Sequence, residues 1–307
     1  MAARTKAHAP AAKKGAAKAS ANKKGAAKKK PVWKEVEERE ARRPSNRARK
    51  AAKRHRPLRI TYDIDGPRIR LGIVWFIAEM AAAVVGVLGL TALFAVTAGV
   101  AALQTARCLR KAGARPHRYV AGAAAAALPL AAAVTTGMLG LAILVYAGVA
   151  VFVGFSAAAV NKRVDPFAVA GDTIRSGLFA GFAAANVVVC ARFSLGGAIA
   201  LLLIVAAYET GDYIIGSGAA NPFEGPVAGA TTIVVVTFAI AAVGVKPFVF
   251  PDAFALGAMA AVLCPLGQIA GSLILPANDA PASALRRLDS LLLLAPAWAL
   301  IVGILVQ

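Results

Sequence analysis

Long runs of apolar residues, separated by short charged or Gly/Pro-containing segments, fill the chain from Leu71 to its end. A helix needs about 20 mostly apolar residues to cross the hydrocarbon core of a bilayer. The composition agrees, because 59% of the residues are hydrophobic and the mean hydropathy is +0.66, whereas soluble domains are about 45–50% apolar. The sequence therefore predicts an all-α fold, a polytopic transmembrane helix bundle over residues 71–307.

The lengths of the apolar runs predict about nine membrane spans. Residues 71–105 and 119–161 are each long enough for two spans, and turns are expected within Gly86–Thr97 and near Thr135–Gly140. Five further spans are predicted at about 173–190, 193–208, 226–245, 253–275 and 290–307. Many of these segments are rich in Ala and Gly, which favours closely packed helices.

The N-terminal part of the chain differs sharply in charge from the membrane body. Residues 1–70 hold 23 of the 35 Lys and Arg and 6 of the 15 acidic residues, a net charge of +17. Residues 1–57 are a low-complexity basic tail that we expect to be largely disordered. Residues 58–70 are interpreted as a juxtamembrane segment, extended or hairpin-like. Because Trp33 is the one aromatic residue before position 61, anionic lipid headgroups are favoured over nucleic acid as the partner of the tail.

Basic residues in the loops predict the orientation, since they are enriched on the cytoplasmic side. With the tail in the cytoplasm, the nine-span arrangement places two basic residues, Arg192 and Lys246, on the opposite side. Ten lie on the cytoplasmic side: Arg107, Arg110, Lys111, Arg115, Arg118, Lys162, Arg163, Arg175, Arg286 and Arg287. We therefore expect an integral plasma (inner) membrane protein with its N-terminus in the cytoplasm and its C-terminus on the opposite side.

Two polar segments interrupt the apolar body and are predicted to meet at its cytoplasmic side. The first, Tyr208–Gly225, carries Glu209, Asp212 and Glu224, and the second lies within Pro265–Trp298. Charges beside membrane spans are costly unless they hold something polar, so a site for a phosphorylated substrate is the working hypothesis. A polar cap on helix ends is the alternative that the composition leaves open.

The residue types in these segments suit phosphate and metal chemistry. Glycines such as Gly211 and Gly216 allow the backbone to approach a ligand, and carboxylates suit Mg²⁺. Arg286 and Arg287 can neutralise phosphate oxygens. Glu79, an acid within the first predicted span, is left open between a structural and a functional role. The three cysteines lie far apart and are read as buried structural thiols: Cys108, Cys190 and Cys264.

Four stretches resemble the phosphatidate cytidylyltransferase (CDP-diacylglycerol synthase) family. LRRLDSLLLLAPAW, which begins at Leu285, is similar to the family signature LDRxDSLLxxxP, and PLGQIAGSLI, at Pro265–Ile274, resembles its GDLxxSxxKR segment. YETGDYIIG, at Tyr208–Gly216, resembles DxGAYxxG, and PFEG, at Pro222–Gly225, resembles TWEG. The resemblance covers about residues 200–307.

The resemblance implies transfer of CMP from CTP to the phosphate of phosphatidic acid, giving CDP-diacylglycerol and pyrophosphate with Mg²⁺ as cofactor. It makes Asp289, Asp279 and Glu224 the candidate catalytic residues. The candidate metal ligands are Asp289, Asp279 and Glu209. The candidate substrate-binding residues are Arg286, Arg287, Ser290, Ser272, Tyr213, Gly211 and Gly216. A homodimer is left open.

The chain also departs from the family pattern at two metal-binding positions. The two aspartates of the family align with Gln268 and Arg286, and neither side chain is an anionic ligand. The alternative is therefore a catalytically degenerate relative that binds lipid or a partner protein. A solute transporter ranks last, because the polar residues lie at the ends of spans and no internal repeat is visible.

Overall fold

The computed structural model describes residues 67–217, 221, 223–245, 247–248, 250–277 and 280–306. Within these ranges the chain is all-helical and contains no strand. The predicted tail, residues 1–57, and the segment from 58 to 66 lie outside the described residues. The helices are α1 (Pro67–Val85), α2 (Val87–Lys111), α3 (Arg118–Val134), α4 (Thr136–Val160), α5 (Pro166–Phe193), α6 (Leu195–Gly216), α7 (Glu224–Val243), α8 (Phe250–Ile274), α9 (Ser283–Arg286) and α10 (Leu291–Val306).

Apolar helices occupy all nine of the segments predicted as spans. Among the described residues, six helices are long and apolar enough to cross a membrane: α2, α4, α5, α6, α7 and α8. The apolar parts of α1, α3 and α10 are shorter, at 10–17 residues. The membrane-protein prediction is thus confirmed in its coarse form, and the count of nine crossings stays a prediction.

Local signals in the sequence explain several helix boundaries. Gly86 breaks α1 from α2 with a φ of 88°, a left-handed value that glycine adopts without strain. Thr135 caps α4, because its side chain accepts a hydrogen bond from the N–H of Met138 at 3.0 Å. Asp165 caps α5 in the same way, through the N–H of Phe167 at 3.0 Å, ahead of Pro166 at the first helical position.

Two sequence predictions about loops are wrong in detail. The juxtamembrane segment was expected to be extended to residue 70, but α1 already begins at Pro67. The stretch Tyr208–Gly216 was expected to be a polar loop, but α6 continues through it. A helix satisfies its backbone hydrogen bonds internally, and its polar side chains find partners on other helices, as described below.

Helix α5 forms the centre of the bundle. In an apolar 18-residue stretch of α5, 72% is buried, against 22% in such a stretch of both α4 and α7. It packs against α2, α3, α4, α6 and α10. Neighbouring helices cover most of the surface of α5, whereas α4 and α7 leave most of their surface unburied. The succession of antiparallel helices places the end of α6, the end of α8 and the starts of α7 and α10 at one end of the bundle.

Glycines allow α5 to approach its neighbours closely. A Cβ atom added at Gly177 would lie 2.6 Å from both the carbonyl oxygen of Ala121 and the hydroxyl of Tyr146. At Gly181 it would lie 2.9 Å from the Cα of Ala125. These separations are shorter than van der Waals contact, so α3 and α5 meet through two glycines spaced by four residues, as membrane helices commonly do.

We expect Gly177→Ala to destabilise the protein by about 1–3 kcal/mol, the usual cost of forcing an extra methyl group into a packed core. The matched control is Gly148→Ala in α4, where nothing lies within 4 Å of the added Cβ. There the better helix propensity of alanine should be neutral or stabilising by up to about 1 kcal/mol. Thermal unfolding of both purified variants in detergent checks this, and equal midpoints would contradict the packing.

Candidate functional site

A group of polar side chains lies between the helix ends gathered at one end of the bundle. We call it the acid–arginine cluster. Its members come from α1, α6, α8, α9 and the turn before α10: Glu79, Tyr208, Glu209, Asp212, Gln268, Ser272, Arg286, Arg287, Asp289 and Ser290. The two polar segments singled out in the sequence therefore meet in the fold.

Asp289 lies in the turn between α9 and α10 and is only 5% exposed. Its Oδ2 lies 3.5 Å from Nη1 of Arg286, and its Oδ1 accepts a hydrogen bond from the N–H of Ser290 at 2.8 Å. Nη1 of Arg286 also donates to the hydroxyl of Ser272 at 2.9 Å. The turn and α8 are thus joined through one guanidinium, which keeps the buried carboxylate paired.

Glu209 forms the second acid–arginine pair. Its Oε2 lies 3.8 Å from Nη1 of Arg287, and both side chains are about one quarter exposed, at 23% and 25%. The hydroxyl of Ser290 donates to Oε1 of Glu209 over a long 3.5 Å. This pair therefore forms the more open side of the cluster, while the Asp289 pair is enclosed.

Glu79 belongs to the cluster, which settles where this acid lies. Its side chain is buried, with 4% of its surface exposed, and it interacts with Trp75 one turn earlier on α1 and electrostatically with Glu209 and Arg287. The sequence left its role open because nothing local indicated that α1 would pack beside α6. An acid in the middle of an apolar segment was the available signal.

A chain of hydrogen bonds forms the inner wall of the cluster. The hydroxyl of Tyr208 donates to Oε1 of Gln268 at 3.2 Å, and Nε2 of Gln268 donates to Oδ2 of Asp212 at 3.2 Å. All three residues are buried. The amide of Gln268 uses both its acceptor and its donor here, a pairing that an aspartate in the same position could not make.

Two glycines of α8 let this helix approach the turn that carries Asp289. A Cβ at Gly267 would lie 2.3 Å from the carbonyl oxygen of Asp289, and one at Gly271 would lie 2.7 Å from its Cβ. The spacing of four residues is the small-residue pattern of close helix contacts. This pattern was visible in the sequence and could have predicted the contact.

Six of the predicted site residues belong to the cluster: Glu209, Ser272, Arg286, Arg287, Asp289 and Ser290. Gly211 instead packs α6 against α7, because a Cβ there would lie 2.6 Å from Oγ1 of Thr232. Gly216 is buried at the last position of α6, and Tyr213 is half-buried on the same helix.

The two remaining predicted residues lie elsewhere. Glu224 is exposed at the first position of α7. It lies at the same end of the bundle as Asp289, but no hydrogen bond or ion pair joins the two in the part of the chain that the structure describes. Asp279 lies outside the described residues.

The predicted metal ligands do not form a group in the described residues. Across the described ranges, no group of three or more His, Cys, Asp or Glu side chains could hold a metal ion. Asp289 and Glu209 instead face Arg286 and Arg287, whose guanidinium groups occupy the space beside each carboxylate. In the described residues both acids pair with arginines, and magnesium binding remains a prediction.

The environment of Asp289 changes its protonation. Burial raises the pKa of this carboxyl group to about 6, against the opposing effect of the neighbouring Arg286 and the N–H of Ser290. The folded state therefore holds the proton more tightly than the unfolded chain does. Its contribution to the free energy of unfolding is largest below about pH 4 and is lost as the pH rises to about 6.

We expect Asp289→Asn to remove this pH dependence. Relative to the wild type, the variant should gain stability as the pH rises from about 4 to about 6, by up to about 3 kcal/mol, and the difference should be constant above that range. Unfolding midpoints in detergent at a series of pH values measure it. Asp252→Asn, at the other end of α8, is the control. A stability difference for Asp289→Asn that is the same at every pH would contradict the buried carboxyl.

Comparison with models of known protein families, with curated protein sequences and with solved structures finds no match to this chain. The family resemblance therefore rests on the chain's own segments. Three of the four resembling stretches, which begin at Tyr208, Pro265 and Leu285, contribute side chains to the acid–arginine cluster. Glu209 and Ser290, which come from two of these stretches, are 81 positions apart in the sequence and are hydrogen-bonded in the structure. The fold therefore brings the stretches together.

Proposed function

We propose that this chain is a membrane-embedded, CTP:phosphatidate cytidylyltransferase-like protein that transfers CMP from CTP to a phospholipid phosphate. One observation carries the proposal: three separate stretches that resemble the family converge on one polar cluster at the end of the bundle. Their convergence gives the resembling residues a common location in the fold.

The cluster offers the charge neutralisation that such a transfer needs. An oxygen of the lipid phosphate attacks the α-phosphorus of CTP, a new P–O bond forms, and the bond to the leaving pyrophosphate breaks. Arg286 and Arg287 supply positive charge to the phosphate oxygens, and preorganised charge of this kind is the usual main contribution to such catalysis. Asp289 and Glu209 orient the two guanidinium groups, and Ser272 and Ser290 offer hydroxyl groups to the substrate.

The lengths of the two ion pairs suit this role. At 3.5 Å and 3.8 Å they are longer than the roughly 2.7–2.9 Å of a charge-assisted hydrogen bond. Because a guanidinium forms two parallel hydrogen bonds with a phosphate, a phosphate can replace part of such a carboxylate contact.

A second candidate is a catalytically degenerate relative that binds lipid or a partner protein. It is favoured by the partners of the two residues that replace the family's aspartates. The amide of Gln268 bonds Asp212, and the guanidinium of Arg286 pairs with Asp289. Gln268 and Arg286 thus give partners to the neighbouring acids Asp212 and Asp289. A cluster that only binds a ligand or stabilises the fold also needs such pairing.

An assay of turnover separates the two candidates. Purified full-length protein is incubated in mixed micelles with labelled CTP, phosphatidic acid and Mg²⁺, and labelled CDP-diacylglycerol is measured. We expect product from the wild type. Circular dichroism checks that the protein is folded. If folded protein binds phosphatidic acid but yields no product, the degenerate relative is favoured.

The residues are tested in the same assay. Asp289→Asn and Arg287→Lys should each lower kcat/KM by about 100-fold or more, the scale seen when one preorganised charged group is removed. Asp252→Asn is the matched control, because it changes an acid at the opposite end of the bundle, and its activity should stay within twofold of the wild type. Unchanged turnover in Asp289→Asn would show that the reaction occurs elsewhere.

We further propose the orientation and the number of crossings. The protein lies in the plasma (inner) membrane, crosses it nine times, and keeps the N-terminus and the acid–arginine cluster on the cytoplasmic side, where CTP is found. The three short helices, α1, α3 and α10, can each cross a membrane despite their length. Seventeen residues of α3 extend about 25 Å at 1.5 Å per residue, and local thinning of the bilayer accommodates the small mismatch.

The side of the C-terminus tests the crossing number. With nine crossings, a reporter enzyme that is active only outside the cytoplasm should be active when fused after Gln307. The same reporter fused after Ser217 should be inactive. Six or eight crossings would place the C-terminus in the cytoplasm and leave the first fusion inactive too, and protease protection of the N-terminal tail fixes the starting side.

A further inference from the structure

A second polar feature lies apart from the acid–arginine cluster, where α2 ends and α3 begins. A cavity of about 620 Å³ opens here between α2, α3, α4 and α5. We call it the basic groove. Its polar side is formed by Arg110, Arg115, His117 and Arg118, and its other side includes Val153 and Val169. It shares no lining residue with the cluster.

The loop that carries two of these basic residues is held in place by α5. The N–H of His117 donates to Oγ1 of Thr173 at 2.9 Å, and the N–H of Arg115 donates to Oδ2 of Asp172 at 3.1 Å. Gly113 turns the chain with a φ of 101°. The backbone of the loop is thus fixed, so the groove is a formed feature of the fold.

The positive charge of the groove is only partly compensated. No ion pair involves Arg110 or Arg115 in the part of the chain that the structure describes, and Arg118 lies over the ring of Tyr119, 4.4 Å from its centroid. Two acids, Asp165 and Asp172, line a smaller neighbouring cavity. Each accepts a backbone hydrogen bond, from Phe167 and Arg115 respectively, so three arginines face the groove against two acids at its edge.

The opposite wall of the groove is apolar and continues into the lipid-facing surface of the bundle. Val153 and Ala157 come from α4, a helix that leaves most of its surface unburied. Elsewhere on α4 and α5, Phe155 and Phe167 are 51% and 68% exposed and pack edge-to-face with ring centroids 5.5 Å apart. The groove thus has apolar residues of α4 and α5 opposite its basic ones.

We propose that the basic groove binds an anionic phospholipid, with the phosphate of its headgroup on the arginines and the upper part of an acyl chain along α4. Charge complementarity selects an anion, because arginine forms paired hydrogen bonds with phosphate oxygens. The adjoining apolar wall selects a lipid over a soluble phosphate. Basic pockets between membrane helices on the cytoplasmic side are suited to such headgroups. This lipid is a bound neighbour of the protein and takes no part in the reaction proposed for the cluster.

The test measures how much lipid stays bound to the full-length protein in native mass spectrometry. Equal amounts of phosphatidylglycerol and phosphatidylcholine are offered, and we expect the wild type to retain the anionic lipid preferentially. Arg110→Gln combined with Arg115→Gln should lower this retention about tenfold, since two charge-assisted contacts are lost. The matched control, Arg107→Gln with Lys111→Gln, removes the same charge from exposed positions of α2 outside the groove and should lower it less than twofold. The tail is the same in all samples.

Two results of this assay would overturn the proposal. An equal loss in both double variants would mean that the lipid responds to surface charge and not to a site. Displacement of the lipid by inorganic phosphate at an equal concentration would mean that the groove takes a soluble anion.

If the groove variant fails to fold, photoreactive phosphatidylglycerol is used on the wild type. Crosslinks should map to residues 110–119 and 153–169, and their absence from both would reject the site. Failure here leaves the turnover assay of the acid–arginine cluster unaffected.

Discussion

The pairing of charged side chains within an apolar bundle is the constraint on which this structure depends. Removing a carboxylate and a guanidinium from water costs several kcal/mol for each ion, and only a well-placed partner offsets that cost. Asp289 meets Arg286 three positions earlier in the chain, whereas Glu209 on α6 meets Arg287 from a distant part of the chain. Arg286 also donates to Ser272 on α8. The contacts of Glu209 with Arg287 and of Ser272 with Arg286 therefore connect α6 and α8 to the segment before α10.

Small residues make that arrangement sterically accessible. Gly267 and Gly271 bring α8 against the turn of Asp289, and Gly211 brings α6 against α7. Membrane helices gain little from apolar burial against each other, because lipid tails are equally apolar, so close van der Waals packing and hydrogen bonds hold them. The polar cluster and the glycine contacts are thus two parts of the same packing solution, and a change in one displaces the other.

The two polar regions differ in a way that bears on function. In the acid–arginine cluster most charges have partners within the protein. Arg286 contacts both Asp289 and Ser272, and the amide of Gln268 bonds Asp212. In the basic groove, arginines face an open cavity beside an apolar wall. A compensated cluster can bind an anion by exchanging contacts, whereas a groove whose charge is only partly compensated attracts one directly. This difference is the reason that we propose a reacting substrate for the cluster and a resident lipid for the groove.

The sequence by itself determined the helical class, the positions of the nine apolar segments and most of their boundaries, because helix length, glycine turns and capping residues such as Thr135 and Asp165 act locally. It also indicated that two polar segments would meet. Only the tertiary structure decided that α6 runs on through Asp212, that Glu79 joins the cluster, and that Gly211 serves packing. Each of these depends on a partner distant in the chain, such as Gln268 for Asp212, and no local pattern encodes which helix a side chain will face.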